Sequence, residues 1–524
     1  MSNRRIAKNT LLLYFRMLLT LGVSLYTSRV ILNTLGVEDF GIYNVVGSIV
    51  MMFSFFNSAM SSATQRFMSY ELGKNDAKQL KKVFSMSVNI HGVIAATILI
   101  LAETIGLWFL NVKLNIPIER MDAANWVYQF SILSFFFTVV GVPYNAMIIA
   151  HERMKVYAYV SIVEVILKLI VVFVLVWFGY DKLKMYASLI FIVSVFVWFL
   201  YKSYCKSNFP ESTYQFFWDK PLFKIMMNYA SWSLFGNVAA VAMGQGVNIL
   251  LNIFFGPVVN SARGIAYQVN SAVGGFVNNF QMAMNPQIIK SYAANDWQYM
   301  HLLIFQGSKY SFFLLFFISM PILMEAEAVV KWWLKIVPEN TVIFCRLVLI
   351  NALIDCISGP LMTAAQATGK IKKYQAVIGG LLLLVLPISY VLLKEGFSPH
   401  ATFYVGISVS MLALFLRLLI LKPMLNLSVM KFTRIVLIRI LLVTVSSIIC
   451  PLVIKYKIND EVMQYIDVYF PLMNKYSGNK ELLRFLIVSV VSTISVAFSI
   501  YCLGLRKEEQ SFMKNKFRHV FIRV

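Results

Sequence analysis

Arg16 and Arg29 lie in a stretch, Asn9 to Asp76, that otherwise reads as membrane helix. A guanidinium is a permanently charged planar fork whose donors suit phosphate oxygens. At ~100° per residue, Asn9, Arg16, Thr20, Ser24, Thr27 and Thr34 fall within roughly 80° of one another on a helix spanning about residues 10–35. Polar groups inside a bilayer are costly, so such a stripe faces a bundle interior or a water-filled cavity. Arg16 is near one end of that helix and Arg29 lies off the stripe. Snorkelling to the membrane surfaces is the other reading of both.

The stripe has counterparts. A second helix offers Asn57, Ser58, Ser61 and Gln65. A seventh carries Asn237, Gln245, Asn248 and Asn252, and an eighth carries Tyr267, Ser271, Gly274, Asn278, Gln281 and Asn285. Pointing all four into one central cavity makes Arg16, Thr20, Ser24, Arg29, Asn57, Asn237, Gln245, Asn248 and Asn278 the candidate substrate-binding residues. Interhelical hydrogen bonding and small-residue packing enrich the same residue types and form the competing explanation. Glu164 and Lys168 stand at i, i+4 on a fifth helix, beside Tyr157 and Ser161. They read as a self-neutralising pair, or as a gate or proton site. Asp355, with Asn351 and Ser358 on one face before Gly359-Pro360, is a candidate for binding a coupling cation or proton.

These residues need a membrane scaffold, and composition supplies one. The 524 residues are 59% hydrophobic and 14% charged, with mean hydropathy +0.71. Soluble domains carry about 25% charged residues. A net charge of +23 fits basic loops on one membrane face better than nucleic-acid binding, because no soluble segment is large enough for such a domain. The five cysteines are scattered without a CxxC pair, and His91 and His151 read as packing or interface residues. No Gly-rich phosphate loop, HExxH motif or nucleophile–base pairing appears, so neither an enzyme nor a cofactor or metal is expected.

Apolar runs too long for barrel strands predict an all-α integral membrane protein of about fourteen spans. The connections on the side of the N-terminus carry most of the 47 lysines and arginines, which predicts cytoplasmic termini and a multi-pass topology. Residues 1–206 read as a first six-span lobe, 207–229 as a cytoplasmic amphipathic linker forming an interfacial helix, and 230–421 as a second six-span lobe. Residues 422–505 hold two further spans, and 506–524 a basic cytoplasmic tail.

The lobes read as a duplication. Gly41-Ile42 matches Gly264-Ile265, Ser69-Tyr70 matches Ser291-Tyr292, and Asn75-Asp76 matches Asn295-Asp296. Pro143, Ala150, Arg153 and Tyr157 match Pro360, Ala367, Lys370 and Tyr374. Six spans per half place the repeats in the same orientation, related by an axis along the membrane normal.

The turn Leu35-Gly36-x-x-x-Phe40-Gly41-x-Tyr43, the loop Ala150-His151-x-Arg153-x-x-x-Tyr157 and the linker between the halves resemble the bacterial polysaccharide flippases. These belong to the multidrug/oligosaccharidyl-lipid/polysaccharide exporter superfamily. The resemblance implies two six-helix lobes forming a V around a central cavity, with two extra C-terminal helices. It implies alternating access that carries an undecaprenyl-pyrophosphate-linked oligosaccharide across the bacterial inner membrane, for surface polysaccharides such as lipopolysaccharide O-antigen. Polysaccharide-assembly proteins and membrane lipids are the implied partners. Cationic cavity residues would hold the pyrophosphate, with Arg16 and Arg29 as candidates by position; the seventh span has no equivalent arginine, and Arg263 lies in the turn that follows it. A cation-coupled multidrug exporter of the same fold and a membrane glycan polymerase or ligase are the alternatives. The last external loop, Lys455 to Lys480, lacks arginine and histidine, which argues against the enzyme.

Overall fold

A chain in hydrocarbon must satisfy its own backbone, and helices do so within one segment. The computed structural model describes residues 2–51, 54–113, 116–177, 181–334, 337–457 and 480–511, and every regular element among them is helical. Twelve described helices are long and apolar enough to cross a membrane. The remaining two expected spans are the second helix of each half. One is partly outside the described residues. The other, α9 (Pro257–Ala293), is about 55 Å long at 1.5 Å per residue, but its amides and Arg263 lower its hydropathy. The protein is an all-α multi-pass membrane protein.

The described chain forms two compact units, residues 1–238 with 282–300 and 366–376, and residues 239–281 with 301–365 and 377–524. In the first unit, α1 (Ser2–Met51) changes direction at Gly36, whose φ of 83° is readily reached only without a Cβ. α2 (Ser54–Lys74) and α3 (Ala77–Leu101) follow. α5 (Met121–Ala150), reached after the short α4 (Leu107–Lys113), is the most enclosed; its neighbours include α2, α3 and α7 (Lys182–Asn208). α6 (Met154–Trp177) packs on α1. Tyr128 is fully buried and donates its hydroxyl to the Ala102 carbonyl at 2.8 Å. At the opposite end from the basic turns, Arg120 bridges Asp39 (Nε–Oδ1 2.8 Å) and Asp181 (Nη1–Oδ2 3.0 Å). Asp181 also caps α7 through the Leu183 and Lys184 amides.

The expected interfacial helix differs from what folds. After a 3-10 turn at Pro210–Ser212, residues 213–219 have irregular backbone, and α8 (Lys220–Phe255) begins only after Asp219. Side chains of α3 compete for that backbone. Asn89 donates to the Phe217 carbonyl at 2.7 Å and accepts from the Tyr214 hydroxyl at 2.8 Å. Phe216 and Trp218 remain outward, 81% and 51% exposed.

The second unit holds the rest of α8 and α9, then α10 (Trp297–Met324) from His301, α11 (Ala326–Trp333) and α12 (Thr341–Ala367). α13 (Lys372–Leu383) and α14 (Val385–Lys394) are one span broken at Leu384. Pro387 has no N–H for the Leu383 carbonyl and clashes with it, which accounts for the break. α15 (Ala401–Leu425), α16 (Val429–Phe432), α17 (Ile438–Lys457) and α18 (Lys480–Ser499) complete it. Residues 458–479 of the expected external loop and 512–524 of the basic tail lie outside the described residues. The start of the tail is docked: Glu509 accepts from the fully buried Lys309 Nζ at 3.0 and 2.7 Å.

The repeat is visible in the backbone. Gly36 and Gly256 both have φ near +80°. Asn75 and Asn295 share a φ of 56°, and each follows the same pair of closing hydrogen bonds, Asn75 N to Leu72 O with Asp76 N to Glu71 O, and Asn295 N to Tyr292 O with Asp296 N to Ser291 O. That pairs Leu72 with Tyr292 and Gly73 with Ala293. The Ser69-Tyr70 match to Ser291-Tyr292 is therefore shifted by two residues from the true register. Glu152 and Gly369 are likewise equivalent left-handed residues, φ 59° and 73°, just past helices ending at Ala150 and Ala367.

Burial alone would raise the Glu509 carboxyl, but Lys309 outweighs it and holds the group below its ordinary value. The stability this contributes is complete above the ordinary carboxylate range and is lost as pH falls through the depressed value. Glu509→Gln should strand the Lys309 charge and cost about 3–5 kcal/mol, seen as a lower unfolding temperature in detergent at neutral pH. The gap between variant and wild type should close on acidification.

Candidate functional site

Arg16 projects from α1 onto α6. Its guanidinium lies 4.7 Å from the Tyr157 ring centroid and its Nη1 is 3.5 Å from Ser161 Oγ. Tyr157, Ser161 and Glu164 recur on one face of α6 because they are spaced three and four residues apart. Glu164 and Lys168 pair at 2.6 Å, both about one-third exposed or more. The sequence singles out Arg16 and the α6 stripe separately; the structure brings them together. Thr20 is half-buried and Ser24 exposed on α1, while Asn57 on α2 and Asn237 on α8 are half-buried. Arg29 lies on α1, and its side chain is outside what the structure describes.

In the second unit the centre is a residue the sequence reading had set outside the spans. α9 begins at Pro257, whose fixed φ suits the first helical position and which follows the left-handed Gly256. Arg263 is therefore inside α9, not in the preceding turn. It is 9% exposed and donates to the Gly244 carbonyl at 2.8 Å and to Asn248 Oδ1 at 3.3 Å, with the Tyr267 ring 4.4 Å away. Asn260 Nδ2 donates to the same Asn248 oxygen at 2.9 Å. Asn248 acts here by orienting two α9 side chains. Among the described residues, no carboxylate forms an ion pair with Arg263. The signal was available: Arg263 stands four residues before Tyr267, one helical turn away.

α9 also turns a polar face outward. Gly264, Gln268, Ser271 and Asn278 are exposed in this unit, as is Gln245 on α8. A membrane helix does not present amides to lipid at low cost, so this face belongs against water or a polar ligand. Asp355 is exposed on α12 and accepts from Asn351 Nδ2 at 2.9 Å; Arg417 donates to Ser358 Oγ at 2.9 Å one turn on. A cavity of about 410 Å³ lined by Ile388, Leu392, Phe397 and Tyr404 is apolar and unsuited to a charged head group.

The long apolar helices and the repeated left-handed turns belong to an all-α membrane fold. Solved MATE transporters share it. An outward-facing multidrug resistance MATE family transporter of the MOP superfamily aligns over 80% of this chain and 95% of its own, at TM-score 0.68 and 12% identity. A MATE in the bent conformation aligns over 81% and 96%, at 0.69 and 13%. A MOP superfamily transporter from Pyrococcus furiosus, described as having a binding pocket of reversed polarity that suggests a different function, aligns over 80% and 96%, at 0.66 and 12%. These identities establish the fold alone. No curated protein sequence matches the chain. Residues 6–295, more than half of the sequence, match the family described as polysaccharide biosynthesis protein, and the chain belongs to that family.

Replacing Asn248 by leucine should leave Arg263 and Asn260 without their shared acceptor and cost about 1–3 kcal/mol. The check is the unfolding temperature of purified protein in detergent, which should fall.

Proposed function

We propose that the protein is a flippase that moves undecaprenyl-pyrophosphate-linked oligosaccharide across the bacterial inner membrane by alternating access, for surface polysaccharide assembly. The observation that carries this reading is Arg263: a buried guanidinium in a membrane helix, oriented by an amide, a carbonyl and a ring, at the head of an exposed polar face. A cation held this way retains its charge and is available to an anion. Arg16 on Tyr157 supplies a second fork of the same kind. Family membership supports the glycan, and the transporter fold supports movement rather than synthesis. The sugar head is too polar for hydrocarbon, so it would follow polar faces, those bearing Thr20, Ser24, Asn57 and Asn237 in the first unit and those bearing Gln245 and Asn278 in the second, while its tail stays in lipid. The basic ends of the helices would face the cytoplasm. Asp355 with Asn351 favours one second reading, a cation-coupled exporter of drugs on the same scaffold.

The test is a leaflet assay. In a host lacking the gene, lipid-linked oligosaccharide should accumulate on the cytoplasmic face of the inner membrane and redistribute when the intact gene is restored. Unchanged distribution in a host without a second such gene would favour the drug exporter; unpolymerised units on the outer face would indicate a polymerase or ligase. Arg16→Ala and Arg263→Ala should each lower flipping by roughly tenfold or more, as expected when a charge-assisted contact of about 1.5–3 kcal/mol is lost, with expression and folding retained.

A further inference from the structure

In the second unit, α10, α17 and the end of α18 meet around more positive charge than they neutralise. Lys309 of α10 is 1% exposed and gives its Nζ to Glu509 at 3.0 and 2.7 Å. Glu509 also accepts from the Arg506 amide at 2.8 Å, which fixes the turn leading away from α18. On α17, Arg439 donates from Nη1 to the Gly504 carbonyl at 3.1 Å. That carbonyl ends the π turn Ile500–Gly504 that follows α18, so Arg439 reaches the chain two residues before Arg506. The charges of Arg439 and Arg506 both act on Lys309. Three cations thus share one carboxylate. Among the described residues, neither Arg439 nor Arg506 forms an ion pair. One hydrogen bond leaves most of the Arg439 donors unused. Both arginines are half-buried, and the exposed neighbours Lys507 and Glu508 offset one another.

The packing that gathers these charges is close. A Cβ on Gly504 would lie 2.7 Å from Phe313 Cζ of α10 and 3.2 Å from Val443 Cγ2 of α17. A residue without a side chain lets the end of α18 enter between those helices, and this brings Arg506 and Glu509 onto α10. α17 is preceded by a π turn of its own, Thr433–Leu437. Such turns interrupt α-helices most often at functional sites.

Apolar surface adjoins the charges. Ile438, Leu441, Leu442, Val445 and Ile449 of α17 are all exposed, and spacings of three and four residues put them on one face. Arg434, also exposed, stands four residues before Ile438. The last candidate span ends at Gly504, so the cations lie where hydrocarbon gives way to head groups. Half-buried cations in excess at that level require a fixed anion, and lipid phosphates are concentrated there.

We propose that Arg439, Arg506 and Lys309 form a binding site for the phosphate of an anionic glycerophospholipid, with one acyl chain lying along the α17 stripe. Arg439 and Arg506 hold the phosphate oxygens. Lys309, already paired with Glu509, adds charge at one remove. A free phosphate would match the cations equally but leave the stripe beside them uncovered. The site is independent of the cargo and of Arg16 and Arg263.

Two experiments test it on the full-length chain. In neutral detergent, dioctanoyl phosphatidylglycerol should raise the unfolding temperature saturably, whereas dioctanoyl phosphatidylcholine and inorganic phosphate should not. Arg439→Gln with Arg506→Gln leaves the Lys309–Glu509 pair in place and should raise the half-saturating lipid concentration roughly tenfold or more. Lys220→Gln with Lys224→Gln removes two exposed charges of the first unit and should leave that concentration unchanged. The second experiment alters none of the cations. With Cys450→Ser, a bimane on exposed Cys502 should be quenched in nanodiscs more strongly by phosphatidylglycerol bearing a doxyl group on its acyl chain than by doxyl phosphatidylcholine at the same mole fraction. An equal response to the two lipids in either experiment, saturation by inorganic phosphate, or equal losses in the two double variants would each overturn the lipid site.

Discussion

A guanidinium cannot shed its proton inside a protein, and the arrangement of this molecule follows from where it can keep such charges in a membrane. Arg66 and Arg263 meet the constraint alike. Each rests on aromatic rings and spends its donors on carbonyl or amide oxygens, and among the described residues neither forms an ion pair with a carboxylate. Such partners satisfy hydrogen bonds and leave the charge in place. At Arg66 the charge is used on a helix terminus. At Arg263 the adjoining face is open and polar. One chemical solution thus serves a helix terminus in one place and the head of an open polar face in the other.

Duplication explains why the solutions are distributed as they are. The two halves share left-handed glycines at the end of their first helices, left-handed asparagines at the end of their second, and a left-handed residue after the fourth. These positions are fixed by backbone geometry and survive as the surrounding side chains diverge. Divergence is clearest at Glu152 and Gly369. One carries a carboxylate that reaches Lys290; the other is bare, and Arg66 fills the space its side chain would take.

Much of this was legible in the sequence. Long apolar runs mark the helices, and polar residues at helical spacing mark the Arg16 stripe and the Tyr157–Ser161 stripe, though not the contact between them. The turn motifs revealed the repeat but misplaced part of its register, because Ser-Tyr recurs in both halves at different depths in the helix while only the closing hydrogen bonds define equivalence. The apolar run of the eighth span leaves Arg263 in the turn before it, whereas the helix starts at Pro257 after the left-handed Gly256. The linker looked helical from its amphipathicity alone, and the α3 side chains that capture its backbone are far away in sequence. Nothing local to Arg66 signals that its partners are carbonyls three hundred residues on.

Gly73 and Ala293 hold the same place in their two halves, and they also meet: a Cβ on Gly73 would lie 2.7 Å from Ala293 Cβ and 2.6 Å from the Lys290 carbonyl. Two positions that are copies of one another and also touch lie beside the axis relating the copies. There the two helices leave room for one methyl group and not for two. The size of the pair, rather than of either residue, sets how closely α2 and α9 approach.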